Sequence, residues 1–191
     1  MHRVCVFAGS SAGARQAYAD GARELGAEIA RRGYGLVYGG DQRGLMGLCA
    51  DAALAGGAEV VGVLPRALST REIAHPRLTE LRIVGSLHER KAVMSALSDS
   101  IVALPGGCGT LDELFEAITW GQLGLHEKPI GVLDADGYWA PLLALLEHMT
   151  FEGFVRPALR IARAQTASAL LDRLHAAPPV AVSPPGPRPK P

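Results

Sequence analysis

The chain has 191 residues, 48% of them apolar, which is enough for one α/β domain with a sizeable core. Its 19 basic and 19 acidic side chains cancel, so it lacks the basic excess that nucleic acid or an anionic membrane surface would call for, and no apolar run is long enough to span a bilayer. Cys5, Cys49 and Cys108 are odd in number and lack paired spacing, which argues against a disulfide framework and for a reducing cytoplasm.

The amino-terminal stretch turns strand-like at once, without a signal-peptide cleavage pattern, and residues 4–8 read as a strand. Residues 18–31 have helical spacing, with Ala19, Ala22, Leu25, Ile29 and Ala30 on one side. A strand at 35–38, a helix at 45–55 and a strand at 59–64 follow. Cys5 in the first strand and Cys49 in the second helix are expected as small core residues. A fourth strand is expected near 81–84 and a helix over about 88–97. Strands at 101–104 and 130–133 complete the sheet, with a helix at 110–123 between them. Helices at 139–149 and 167–175 close residues 1–177 as one domain. Beyond it, residues 178–191 are too proline-rich for a regular helix or an interior strand, and are expected to form an extended, flexible tail.

Regular β–α alternation predicts an α/β fold, a three-layer, Rossmann-like, doubly wound parallel sheet flanked by helices. Ligands of such sheets bind beyond the carboxyl ends of the strands, where the strand order switches. Three strand ends carry turns of small residues: Gly9-Ser10-Ser11-Ala12-Gly13, Gly39-Gly40-Asp41-Gln42-Arg43-Gly44, and a third that opens at Pro105. Neither the dinucleotide order G-x-G-x-x-G in the first turn nor a P-loop anywhere is present, which disfavours dinucleotide redox chemistry and P-loop hydrolysis of ATP.

The third turn is the most informative: Pro105-Gly106-Gly107-Cys108-Gly109-Thr110-Leu111-Asp112-Glu113 joins the strand at 101–104 to a helix. Glycines there let backbone N–H groups approach an anion, the helix N-terminus adds partial positive charge, and Asp112 and Glu113 bring carboxylates beside it. Thr110 is a candidate N-cap, and Glu113, placed in the first helical turn, is expected to be held ionised by the helix dipole. Asp112 and Glu113 point about 100° apart around a helix, so only one of them faces a bound sugar squarely. A phosphatase-like cysteine would need an arginine six residues on, where Leu114 stands, so Cys108 is read as a turn residue. His88-Glu89-Arg90-Lys91 forms a second charged group, and Ala92 rules out H-E-x-x-H zinc chemistry. No metal and no cofactor are expected.

Together these segments resemble the Lonely Guy family of cytokinin-activating phosphoribohydrolases. The resemblance is carried by His88-Glu89-Arg90-Lys91-Ala92-x-Met94 and by the Pro105 turn. Support comes from Leu36-Val37-Tyr38-Gly39-Gly40, Gly44-Leu45-Met46-Gly47 and Thr119-Trp120-x-Gln122-x-Gly124-x-His126-x-Lys128-Pro129. It implies hydrolysis of the N-glycosidic bond of N6-modified adenosine 5′-monophosphates, isopentenyladenosine monophosphate above all and AMP more weakly, to free base and ribose 5-phosphate. It makes Arg90 and Glu113 the catalytic pair. It makes Glu72, Lys91, Gly107, Cys108, Gly109, Thr110, Leu111, Asp112 and Thr119 contacts of the nucleotide, and Ser10 in the first turn and Gly106 in the third are expected to join them. It also implies a homodimer, to which the helix bearing Ile118, Trp120 and Leu123 offers apolar contact.

Two positions depart from the family's usual wording. Asp41 stands where a third glycine is usual, so its charge must point away from any phosphate or meet a ribose or a cation. Cys108 replaces an aromatic residue. Two other readings compete with hydrolysis: a pyridoxal-phosphate lysine decarboxylase, which needs a Schiff-base lysine among Lys91, Lys128 and Lys190, and a non-catalytic nucleotide-binding module.

Overall fold

A computed structural model describes residues 2–69, 74–155 and 160–176. The proline-rich tail and Glu72 lie outside the described residues. Seven parallel strands form one sheet: β1 (Arg3–Phe7), β2 (Gly35–Tyr38), β3 (Val60–Pro65), β4 (Glu80–Val84), β5 (Ser100–Ala103), β6 (Ile130–Leu133) and β7 (Ile161–Ala164). Their order is β4-β3-β2-β1-β5-β6-β7. The longer helices are α1 (Gln16–Arg31), α2 (Gly44–Ala55), α4 (Leu87–Ala96), α5 (Cys108–Gln122), α6 (Ala140–Phe151) and α7 (Ala167–Ala176), with a single turn, α3 (Arg66–Ser69), after β3.

Strands β1, β2, β3, β5 and β6 are buried along almost their whole length, as a parallel sheet covered on both faces requires. Side chains alternate between the two faces. Val4, Val6, Leu36, Tyr38, Val102 and Leu104 pack against α1, α2 and α7 through Leu25, Ile29, Cys49 and Leu170. Cys5, Phe7, Val37, Ile101 and Ala103 face the opposite layer, where Met94 of α4, Leu114 and Ile118 of α5 and Trp139 before α6 meet them. Cys5 and Cys49 are core residues, as expected.

The sheet has one strand more than the sequence pattern indicates. β7 reads Ile-Ala-Arg-Ala, sits at an edge and is only partly covered, so it shows neither a continuous apolar run nor clean alternation. Ile118 is 4% exposed and belongs to the core, so it is not available to a partner, whereas Leu123 is 67% exposed.

The chain runs outward from β1 to β4 and then returns to the other side of β1 as β5, so the strand order switches between β1 and β5. The turns that follow these two strands are tied directly: Gly9 N–H donates to Pro105 O at 3.0 Å. The Gly9 carbonyl in turn accepts from Leu45 N–H at 3.0 Å in the first turn of α2. All three glycine-bearing turns therefore meet on one rim.

Candidate active site

α4 starts with a variant of the capping box: Ser86 Oγ accepts from Glu89 N–H at 3.1 Å, while the Glu89 carboxylate reaches one residue past the cap and accepts from Gly85 N–H at 2.6 Å. That fixed start directs Arg90 across the carboxyl ends of β2 and β3. Its Nε donates to Val63 O at 3.0 Å and its Nη2 to Gly39 O at 3.1 Å. The third nitrogen, Nη1, lies 3.7 Å from Glu113 Oε1, with both side chains nearly covered. This separation is long for a hydrogen bond but close enough for strong coulombic coupling. Gly39 makes the arrangement possible, because a Cβ there would lie 1.8 Å from Arg90 Nη2.

Glu113 differs from expectation. α5 begins at Cys108 with Gly107 as N-cap, so Glu113 falls in the second turn, beyond the strongest reach of the helix dipole. Burial pushes its carboxyl up to about 7, against the pull of Arg90. Asp112 and Glu116 add to the rise, and Lys91 opposes it. Thr110 is not the N-cap; it lies inside the helix, 4% exposed. Ahead of it, the N–H groups of Cys108, Gly109 and Thr110 precede the first intrahelical donor, Leu111 N–H, which reaches Gly107 O at 3.1 Å.

A cavity of about 320 Å³ joins these groups. Ala8, Gly9, Ser10 and Met46 line one side, with Gly107, Cys108, Gly109 and Thr110 on the other and Arg90 and Glu113 within. A second cavity of about 330 Å³ lies against the same turns, sharing Gly9, Ser10 and Gly107 and reaching Gly106. Leu111, Asp112 and Thr119 are not in either group; with Cys108, Phe115, Glu116 and Trp120 they line an open groove on the outer side of α5. Thr119 Oγ1 donates to Phe115 O at 2.7 Å. Cys108 is exposed and borders both the groove and the first cavity.

Lys91 also lies on the α5 flank. Its Nζ is 2.9 Å from both Asp112 Oδ2 and Glu116 Oε2. Burial alone would lower its pKa, but the two carboxylates outweigh that and raise it. Asp41 is fully buried, and its charge is met by Arg43, whose Nε lies 2.9 Å from Oδ1 and whose backbone N–H donates to the same oxygen at 2.8 Å. The second turn therefore keeps its acid without presenting a bare anion to a phosphate. Among the described residues no group of three or more His, Cys, Asp or Glu side chains is arranged to hold a metal ion.

Comparison with known proteins adds two kinds of likeness. A family model described as "Possible lysine decarboxylase" matches residues 46–174. A "probable cytokinin riboside 5′-monophosphate phosphoribohydrolase" of Oryza sativa subsp. japonica is 51% identical over 91% of this chain and 78% of its own length. A cytokinin riboside 5′-monophosphate phosphoribohydrolase of Arabidopsis thaliana is 47% identical over 91% of this chain and 82% of its own. Among solved structures, a molybdenum cofactor binding protein from Rippkaea orientalis superposes with a TM-score of 0.69 at 21% identity, covering 92% of this chain and 96% of that one, a likeness of fold. Matched along most of its length by named phosphoribohydrolases, and by the family model over residues 46–174, the chain belongs to the Lonely Guy family.

Proposed function

We propose that this protein hydrolyses the N-glycosidic bond of adenosine 5′-monophosphates, with N6-modified cytokinin ribosides preferred over AMP, releasing free base and ribose 5-phosphate. The observation that carries this reading is the buried Arg90–Glu113 pair inside a cavity walled by the glycine turn. The relatives' names supply the substrate class.

Cleavage of the C1′–N bond builds positive charge on the ribose in an oxocarbenium-like transition state. Ionised Glu113 stabilises that charge and accepts a proton from the attacking water, whose oxygen bonds to C1′. One water is consumed: its hydroxyl goes to the sugar and its proton balances the departing base. Arg90 stays charged throughout, so it polarises the base or holds an oxygen rather than donating a proton. Amides at the start of α5 grip the 5′-phosphate and convert binding of that remote group into orientation of the reacting bond. Lys91, committed to Asp112 and Glu116, steadies α4 against α5 and contributes to the site's positive field. Asp112, Leu111 and Thr119 meet the part of the ligand that leaves the cavity past Cys108.

A pyridoxal-phosphate decarboxylase is not favoured, because the described lysines are badly placed for a Schiff base. Lys91 is held charged by two carboxylates. Lys128 precedes β6, on the rim opposite the glycine turns, and its Nζ donates to Ser95 O. Lys190 lies outside the described residues.

A homodimer in a cytoplasmic setting fits the molecule. Leu123, Leu125, Phe151 and Phe154, at the ends of α5 and α6, are 67–86% exposed and suit a second copy, and the cysteines are free thiols. No helix among the described residues is long and apolar enough to cross a membrane. Sedimentation at micromolar concentration reports the dimer.

Incubation with AMP and with isopentenyladenosine monophosphate, followed by chromatography of the bases, tests the activity. Release of adenine and isopentenyladenine with ribose 5-phosphate is expected; tight AMP binding without release would leave only a binding module. The pH profile provides a further check. With Glu113 pushed up to about 7, kcat/KM is expected to climb with pH along a single-proton limb and to level off above that value. A profile flat from pH 5 to 9 would remove Glu113 from the essential base role.

A further inference from the structure

We infer that Tyr138 is a positioning residue that locks the Gly106–Gly107 peptide plane in the orientation an anion needs. The inference rests on reading the glycine turn as the seat of a nucleotide 5′-phosphate.

Gly106 itself is packed closely, since a Cβ there would lie 2.1 Å from Thr110 Oγ1, but the turn opens out beyond it. Cavities lie on both of its sides, and a Cβ added at Gly107 or Gly109 would meet no heavy atom within 4 Å. Adjacent glycines also permit backbone rotations that side chains would forbid. Three hydrogen bonds pin the segment: Gly9 N–H to Pro105 O at 3.0 Å, Leu111 N–H to Gly107 O at 3.1 Å, and Tyr138 Oη to Gly106 O at 2.5 Å. Of these three, the last holds the central peptide. A trans peptide is planar, so its C=O and N–H point in opposite directions. Holding the Gly106 carbonyl therefore aims the Gly107 N–H away from Tyr138, and Gly107 borders the cavity that contains Arg90 and Glu113.

Tyr138 is itself held in place. Its ring meets Tyr18 edge-on at 5.4 Å and Trp139 at 5.0 Å. The backbone beside it is anchored by Trp139 N–H donating to Asp134 Oδ1 at 2.7 Å. Fully buried Asp134 is neutralised in turn by Arg163 of β7, Nε to Oδ2 at 2.7 Å. The seventh strand thus reaches the glycine turn through a salt bridge, a backbone anchor and a phenol.

Tyr138→Phe removes the hydroxyl and keeps the ring. Calorimetric titration with ribose 5-phosphate and, separately, with adenine reads the effect on each half of the site. The variant is expected to bind ribose 5-phosphate about tenfold more weakly, the loss of one well-placed hydrogen bond, while binding adenine as the wild type does. The ¹⁵N resonance of Gly107 is expected to shift or broaden as its peptide reorients, with the melting temperature little changed. Equal affinity of variant and wild type for ribose 5-phosphate would overturn the role of Tyr138 and leave the functional reading standing. So would a parallel loss of adenine binding, which marks a general structural defect. A wild-type protein that fails to bind ribose 5-phosphate would overturn the functional reading and this inference together.

Discussion

Glu113→Gln is expected to lower kcat/KM for nucleotide hydrolysis about 10³-fold at pH 8 while leaving nucleotide binding nearly intact. Glutamine keeps the shape of the side chain but can neither stabilise an oxocarbenium ion by charge nor take a proton from water. The same substitution is expected to stabilise the fold. Burial raises the folded-state pKa of Glu113 from 4.5 to about 7, so the native protein holds this proton more tightly than the unfolded chain does. Stability is therefore lost as pH rises from the unfolded value through about 7. Above that the ionised acid costs about 3 kcal/mol, in order of magnitude. Glu113→Gln should melt several degrees above wild type at pH 8, and the gap should close near pH 4. An enzyme that tolerates the change would remove the catalytic role, and a melting difference independent of pH would remove the cost of burying this carboxylate. Stability given up at the reacting group is the trade that active sites commonly make.

Arg90→Ala is expected to be nearly as damaging to activity, by about 10²–10³-fold, and to destabilise the fold where Glu113→Gln does not. Removing the guanidinium takes the donors from Val63 O and Gly39 O and leaves Glu113 buried without its main cationic neighbour. Since Arg90 is what pulls the Glu113 pKa down, residual activity should show its limb at higher pH than wild type. Arg90→Lys should not rescue it, because one ammonium cannot span two carbonyls and a carboxylate in the fixed fork that arginine provides. Gly39→Ala offers a test without removing charge. Its methyl would occupy the place of Nη2 and is expected to reproduce the catalytic defect with the arginine still present. Wild-type turnover in Gly39→Ala would show that the seating of Arg90 on the main chain is unimportant.

Much of this was legible in the sequence, for physical reasons that also explain what was not. The central strands announced themselves because burial on both faces demands runs such as Ile101-Val102-Ala103-Leu104. β7 escaped notice because an edge strand carrying Arg163 has no such demand. The turn after β5 was readable as an anion cradle, yet α5 starts at Cys108 rather than Thr110, since its N-cap is Gly107 and a run of glycines does not mark by itself which of them opens the helix. That shift moved Glu113 out of the first turn and left burial to set its proton affinity.

Arg90 and Glu113 could be paired by motif, but the seating of Arg90 on Val63 and Gly39 depends on strand order, which local pattern does not encode. The same holds for Lys91, whose partners come from the facing helix. Asp41 is the opposite case: its partner, Arg43, stands two residues away, and an Asp that bonds the backbone two residues on is a local turn signal. Tyr138 had no sequence signal beyond a position just before α6, and its value appears only once β6 lies beside β5.

The pairing of β1 with β5 also bears on how the chain is made. Val4 is synthesised well before its partner on β5, Ser100, which follows almost a hundred residues later. Until then the first strand shows an unpaired edge that is apolar beyond Arg3, the kind of surface that recruits a wrong neighbour. A nascent chain stalled before residue 100 would expose that edge and have no catalytic pocket, so early truncations should be aggregation-prone rather than partly active.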